Sequence, residues 1–375
     1  MTGIITDLTN DAAGGKPHLD VVVATHRHAD HIRGFALREW DQVTVDEVWV
    51  PFVEDESDPQ AQSLRRVQTE AARNLLSLIN RRIAGFKNGS PPAAVADARS
   101  FTLNFLDNAD AMDRLLGRNG MHFANHHNIR YLPTQAETGN EIRAEAVGVT
   151  AHILGPSRDP RMLRQMNPPA RAGWLRLDTE DDEAEKYAGN EELPPLFNSD
   201  YILDQEDRLS GNLLKAKNSL QLHRLTNDAG LLSASSILER AVNNTSLFFV
   251  LDVEGTRLIF PGDAQYGAWE YVLQDATKKA LLADAAFYKI GHHGSHNATP
   301  KYFVNEVWRD GGYAMLPWGH VKRWEKTIPK RELLEALVAH HHKIIQADGP
   351  IPDGGRVKIH GTLWSEVELP QAREL

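Results

Sequence analysis

The segment THRHADH (25–31) constrains this chain more than any other, because it gathers three imidazoles and a carboxylate directly behind an apolar run. That run, LDVVVAT (19–25), is rich in β-branched residues and ends in polar ones, as a buried strand does when it delivers side chains to a site. His26 and His28, one position apart, can hold one ion from a tight turn, while Asp30 and His31 point elsewhere and can hold a second. Imidazole and carboxylate suit zinc, and manganese or iron also accept them. The chain has no cysteine, which removes disulfides, thiolate nucleophiles and cysteine-ligated zinc, and leaves any metal to His, Asp or Glu.

Two later segments supply what such a site still needs. PGDA (261–264) puts Asp263 at a strand end, beside a glycine that permits close backbone approach. A carboxylate with two oxygens can bridge a pair of ions. GHHGS (291–295) again follows an apolar run; one of His292 and His293 can close the second ion's shell, and the other can meet a substrate oxygen or protonate a leaving group.

The rest of the chain reads as alternating strands and helices. EVWVPF (47–52), EAVGVTAHIL (145–154), AAFYKIG (285–291) and YAMLPWG (313–319) read as strands. SLFFVLDV (246–253) and TRLIFPGDA (256–264), joined by Glu-Gly, read as a hairpin. Apolar residues at Leu64, Val67, Ala71, Leu75, Leu78 and Ile79 predict a helix over 60–86, with Arg66 and Arg73 on its opposite face. KYFVNEVWR (301–309) and PKRELLEALVAHH (329–341) also read as helical. Residues 155–210 are polar, proline-punctuated and partly acidic, the pattern of an excursion from the core. A single 1–375 domain is expected, with insertions at about 55–145 and 156–240.

The order HxHxDH, Gly-Asp, late His resembles the ligand order of the metallo-β-lactamase superfamily. NNTSLFFVLDVEGTRLIFPGDA and YKIGHHGSHNATP are similar to the NNxS, GD and HHGS blocks of the branch that contains the hydrolase domain of bacterial competence DNA-uptake channels. The likeness covers 19–52 and 241–320. It implies an α/β fold, the four-layer αββα sandwich, with a dinuclear site at one edge and hydrolysis by a metal-bound hydroxide. By position, His26 and His28 would bind the first metal; Asp30, His31 and His292 or His293 the second; and Asp263 would bridge them. Asp30, His292 and His293 are then the candidate catalytic groups. Two divalent ions, zinc foremost with manganese or iron as alternatives, are the implied cofactors.

Two departures carry expectations of their own. Where many members of the superfamily have a further histidine, this chain reads AVNNTS (241–246), so Asn243, Asn244 and Ser246 are expected near the site, with His152 as an alternative ligand. The family's strands before HxHxDH have no counterpart here, so an open sheet edge is expected, covered by a partner chain or a second copy. His126, His127 and the run His340–His342 have no nearby carboxylate partner in sequence and are expected in solvated or capping roles.

Asn244, Ser246, His320 and Arg27 are the candidate substrate contacts, and Arg33, Lys322 and Arg323 add positive charge nearby. These basic groups and the branch likeness favour a phosphodiester substrate, either nucleic acid or a small diester. The alternatives are an amide, lactone or thioester hydrolase, or a binding module with a degenerate metal site. Net charge is −10, which argues against a wholly basic nucleic-acid protein but leaves room for a local patch. No apolar stretch is long enough to span a membrane, and no secretory leader is legible, so a cytoplasmic location is expected.

Overall fold

Alternation of side chains along each strand decides what this fold buries. In the computed structural model, which describes residues 2–11, 16–86, 90–144, 148–169, 172–174, 228–317, 328–347, 356–360 and 364–369, the chain is mixed α/β. Its contacts divide it into two units: Met1–Gln62 with Asn108–Leu175 and Ala241–Leu375, and Ser63–Asp107 with Arg176–Arg240.

The first unit holds the sheets. Strands β1 (His18–Val23), β2 (Thr44–Pro51) and β3 (Asn128–Leu132) form a parallel three-stranded sheet in that order. A seven-stranded sheet runs β10-β9-β8-β7-β6-β5-β4. Its members are β4 (Glu141–Ala144), β5 (Val149–Gly155), β6 (Phe248–Val253), β7 (Thr256–Phe260), β8 (Ala285–Lys289), β9 (Tyr313–Leu316) and β10 (Lys343–Gln346). Pairing is antiparallel from β4 to β7 and parallel from β7 to β10.

Odd and even residues go to different cores, the period-2 logic of a sheet covered on both faces. Val23, Trp49 and Leu132 of the small sheet pack with Ala151, Ile153, Phe249 and Leu251 of the large one. Val22, Val48 and Val50 turn the other way, onto Ile5 of α1 (Thr2–Asp11), Trp40, Phe123, and Met112 and Leu115 of α5 (Ala109–Leu115). On the large sheet, Phe248, Val250, Tyr288 and Ala314 face Trp269 of α8 (Tyr266–Gln274), Phe303, Trp308, and Leu333 and Leu337 of α10 (Arg331–Ala339). Beyond the small sheet, Phe287, Tyr313 and Ile345 are covered by Val357, Val367 and Leu369, from the hairpin β11 (Val357–His360) and β12 (Trp364–Val367) and the residues after it.

The second unit is helical among the described residues. Most of α3 (Pro59–Ala84), α4 (Ala93–Leu106) and most of α7 (Asp228–Asn243) bury Leu75, Ile79, Val95, Ala98, Leu231 and Leu232 together. Arg82 Nε donates to Asp228 Oδ1 at 2.7 Å, and Thr102 Oγ1 and Ser235 Oγ lie 3.1 Å apart.

Several expectations need revision. Residues 55–145 are not all insertion: β3 extends the small sheet and β4 the large one. Segment 301–309 makes a π-type turn at Phe303–Val307 instead of an ordinary helix. The Glu-Gly hairpin forms as read, with both link residues left-handed (Glu254 φ 52°, Gly255 φ 91°), the geometry a two-residue connection asks for. β1 is an edge strand, and among the described residues no strand pairs with its free side. No described helix is long and apolar enough to cross a membrane.

Candidate metal centre

Three strand ends build the site, as open sheets deliver ligands beyond the carboxyl ends of parallel strands. The chain leaves β1 through Thr25 to His26, leaves β7 through Pro261-Gly262 to Asp263, and leaves β8 through Ile290-Gly291 to His292. After His28 the backbone turns at once into the short helix α2 (Ala29–Ile32), with the amides of His31 and Ile32 donating to the His28 carbonyl at 3.0 and 3.1 Å. That turn swings His31 back toward His26, and their rings stand 4.2 Å apart.

Asp263 Oδ2 lies between two imidazoles, 3.1 Å from His31 Nε2 and 3.9 Å from His26 Nε2. Ligand atoms of His26, His31 and Asp263 all fall within 4.8 Å of one another. Asp30 Oδ2 is 3.6 Å from His31 Nε2. His28 is buried with its ring 4.9 Å from that of His26. The Nε2 atoms of His26 and His28 are both buried and accept or donate no hydrogen bond. A buried nitrogen without a partner costs about 1–3 kcal/mol, and His26 Nε2 facing a carboxylate, with the unpartnered His28 ring beside it, fits a cation better than an empty core.

Gly262 explains why Asp263 can be there. Its φ is +58°, and a β-carbon would stand 2.9 Å from Thr25 Cβ and 3.0 Å from Ser246 Cβ. Only glycine allows the GD turn to pass between the residue before His26 and the NNTS loop. Ser246 then joins the same three segments by hydrogen bonds. Its Oγ accepts from the Asp263 amide at 3.1 Å and lies 3.2 Å from His26 Nδ1, which also has Thr25 Oγ1 at 3.2 Å. Hydroxyls on Nδ1 orient the ring so that Nε2 faces Asp263.

Charge follows the same geometry. Burial, reinforced by the neighbouring His31, holds His26 well below the ordinary imidazole range, and burial brings His28 down to about 4. Both rings are therefore neutral, as a metal ligand must be. Burial alone would raise the Asp263 carboxyl; His31 and His292 outweigh it and keep it well below the usual carboxylate range. His31 is raised because the attraction of Asp263 overcomes its own burial.

Of the histidine pair, His292 is the member that belongs to this cluster: its charge is felt at His26, His28 and Asp263. Its Nδ1 lies 3.1 Å from Ser295 Oγ and its Nε2 3.5 Å from Asn243 Nδ2. His292 and His293 are both left-handed (φ 41° and 52°) and are followed by Gly294 at φ 76°. Consecutive non-glycine residues there cost on the order of 1 kcal/mol each, strain that accumulates at functional loops.

Other candidates go elsewhere. Asn244 is fully buried, its Nδ2 donating to the carbonyls of Met162 and Leu163 and its Oδ1 accepting from the amides of Gln265 and Ala268. It braces backbone and leaves no atom for a substrate. His152 Nδ1 sits 3.7 Å from Glu141 Oε2, outside the converging group. Arg27 is turned to the buried Glu54, Nε to Oε1 at 3.4 Å, and Asn108 holds its carbonyl. His342 is not solvated but buried and stacked on Trp308 with centroids 3.6 Å apart. His320, Lys322 and Arg323 lie outside the described residues.

Sequence reasoning missed Thr25, Glu54 and Ser295, and gave Asn243 and Ser246 no structural role. Only the clustering of small polar residues around the histidine blocks hinted at them. Comparison with models of known families and with curated proteins finds no match to this chain.

Proposed function

We propose that the chain is a metal-dependent hydrolase of the metallo-β-lactamase kind, acting on phosphodiester bonds. The observation that carries this reading is the convergence of Asp263, His26 and His31, in which His26 Nε2 is buried without a hydrogen-bond partner, as is His28 Nε2 beside it. The two facing sheets, each with helices on its outer side, support reading the architecture as the four-layer αββα sandwich.

His26 and His28 would hold one divalent cation, Asp30, His31 and His292 a second, and Asp263 would share both. Zinc fits these donors best. Two such cations supply Lewis acidity, lowering the pKa of a bound water and neutralising charge on the oxygens of the scissile group. The chain's own residues prepare that chemistry. Burial keeps His26 and His28 deprotonated, Ser246 and Thr25 aim the His26 ring, and Gly262 brings Asp263 into reach. His293, next along the strained loop, is the candidate to pass a proton to a departing oxygen.

Lys289 supports an anionic substrate. This partly buried lysine, three residues before His292, has its pKa lowered by burial against the opposing pull of Asp263 and makes no ion pair or hydrogen bond to any described residue. The testing experiment measures metal content of the purified chain together with hydrolysis of bis-p-nitrophenyl phosphate, nitrocefin and a lactone. About two ions per chain and turnover of the diester alone are expected; turnover of nitrocefin or the lactone alone would move the assignment to acyl hydrolysis. Fewer than one ion with no turnover would sink the hydrolase reading.

A further inference from the structure

The second unit carries a charged surface that the metal centre does not explain. Helix α3 turns Leu75 and Ile79 into the core of its unit. On the opposite side, Arg66, Arg73, Ser77, Asn80, Arg81 and Ala84 are all exposed. At ~100° per residue these six fall within a sector of roughly 100°, diametrically across from Leu75. The arginines are spread along roughly 22 Å of helix.

A solvated helix face ordinarily mixes lysine with glutamate four residues away. This one is unbalanced. From Arg65 to Arg82 the helix has five arginines and no lysine, and its single acid, Glu70, lies exposed on the same face four residues after Arg66. Arg82 is taken by Asp228, whereas Arg66 and Arg73 make no ion pair to any described residue, and Arg81 reaches only the Ser77 carbonyl, at 3.4 Å. All this belongs to a chain of net charge −10, so general basicity cannot account for it. Guanidinium is the group suited to forked hydrogen bonding of phosphate oxygens, and interleaved Ser and Asn offer the neutral donors that accompany it. The face presents no aromatic side chain that would enter a lipid surface, and only the exposed Val67 and half-buried Leu76 flank it.

We propose that this face of α3 binds the phosphate backbone of nucleic acid, without reading sequence, through Arg66, Arg73 and Arg81. The binding is independent of the hydrolase reading, because it needs neither metal nor turnover.

The test is fluorescence anisotropy of the full chain with a labelled single-stranded 30-mer and the matching duplex, in EDTA, from 50 to 300 mM salt. The triple variant Arg66→Gln, Arg73→Gln, Arg81→Gln is compared with wild type. A control removes the same charge from the other unit through Arg143→Gln, Arg309→Gln and Arg331→Gln, each already paired with a carboxylate. The α3 variant is expected to bind at least about tenfold more weakly, with a log–log salt slope shallower by about 2 on the single strand. The control should leave the slope within about 0.5 of wild type. All positions changed are exposed, and unchanged thermal unfolding confirms that both variants fold. Equal losses in both variants, an α3 variant that binds like wild type, or wild-type binding to anionic vesicles but not to either oligonucleotide would each overturn the proposal.

Discussion

Strand β1 has a histidine–aspartate group at each end. At its start are His18, Asp20 and Asp46; just past its end are His26, His31 and Asp263. Within each trio the ligand atoms lie within 4.8 Å of one another, so composition and distance do not separate them. Environment does. The side chains of His18, Asp20 and Asp46 are 45, 91 and 58% exposed; those of His26 and Asp263 are 0 and 5% exposed. His18 has Thr44 Oγ1 at 3.0 Å on one nitrogen and Asp46 Oδ2 at 3.3 Å on the other, at an open surface, whereas His26 Nε2 is buried with no hydrogen-bond partner. An exposed trio must give up hydration and rotamer freedom to take an ion. The buried one lost both when the chain folded, so binding meets little further resistance. A constellation becomes a site when the fold has desolvated and oriented it.

The hardest blow to this contrast would be an Asp263→Ala chain that still binds metal. Loss of most bound ion and a fall of about 10³-fold or more in diester hydrolysis are expected, read by elemental analysis and initial rates. Asp46→Ala should change neither. Next comes Gly262→Ala, which puts a methyl against Thr25 and Ser246 at a left-handed residue. It should destabilise the protein by about 2–4 kcal/mol, seen as a lowered denaturant midpoint with unchanged m. Among the described residues at the other end of the strand, none is left-handed.

Ser246→Ala sharpens the comparison further. It removes the hydroxyl that orients His26 and accepts the Asp263 amide, and it should weaken metal binding about 10- to 100-fold without unfolding the chain. Titration separates the ligands from one another. His26 and His28 are already neutral near pH 7, but His31 is raised. Metal uptake should therefore release a proton from His31 at about pH 6.5 and below, and affinity should fall about tenfold per pH unit below the His31 pKa. A hundredfold fall would mean that a second histidine titrates with it.

In the metal-free protein the same pair gives a signed stability profile. The raised His31 contributes fully below its unfolded value near 6.5, and the contribution is lost as pH rises through its folded pKa. The depressed Asp263 contributes above about 3.9, and that is lost as pH falls through its folded pKa. The stability difference between wild-type and His31→Ala apoprotein should therefore be largest between about pH 4 and 6.5, while the buried His26 and His28 lower the stability of both as pH falls below about 6.5. The smallest effect is expected from His18→Ala, within about 0.5 kcal/mol in thermal unfolding.

Much of this was readable from residue order. Strands ending in His, Asp or Gly were marked by β-branched runs that stop at polar residues, and the hairpin by Glu-Gly. Those are local signals, carried by side-chain period and turn chemistry. The segments that would converge were legible too, because metal chemistry restricts which residue types can serve. What did not show was burial. Asn244 and Ser246 are two residues apart in one loop, yet one braces backbone and the other orients the His26 ring. His292 and His293 are neighbours, yet their ring centroids stand 6.3 Å apart, and it is His292 whose charge is felt at Asp263. His342 looked solvent-bound and is packed on Trp308.

The sequence by itself determined which groups could bind a cation, and that those groups follow buried strands. The tertiary structure alone decided which were dry, oriented and within reach of Asp263. The reason is physical: ligand identity is a property of single residues. Desolvation and a distance across more than two hundred residues of chain exist only once β1, β7 and β8 end at the same place.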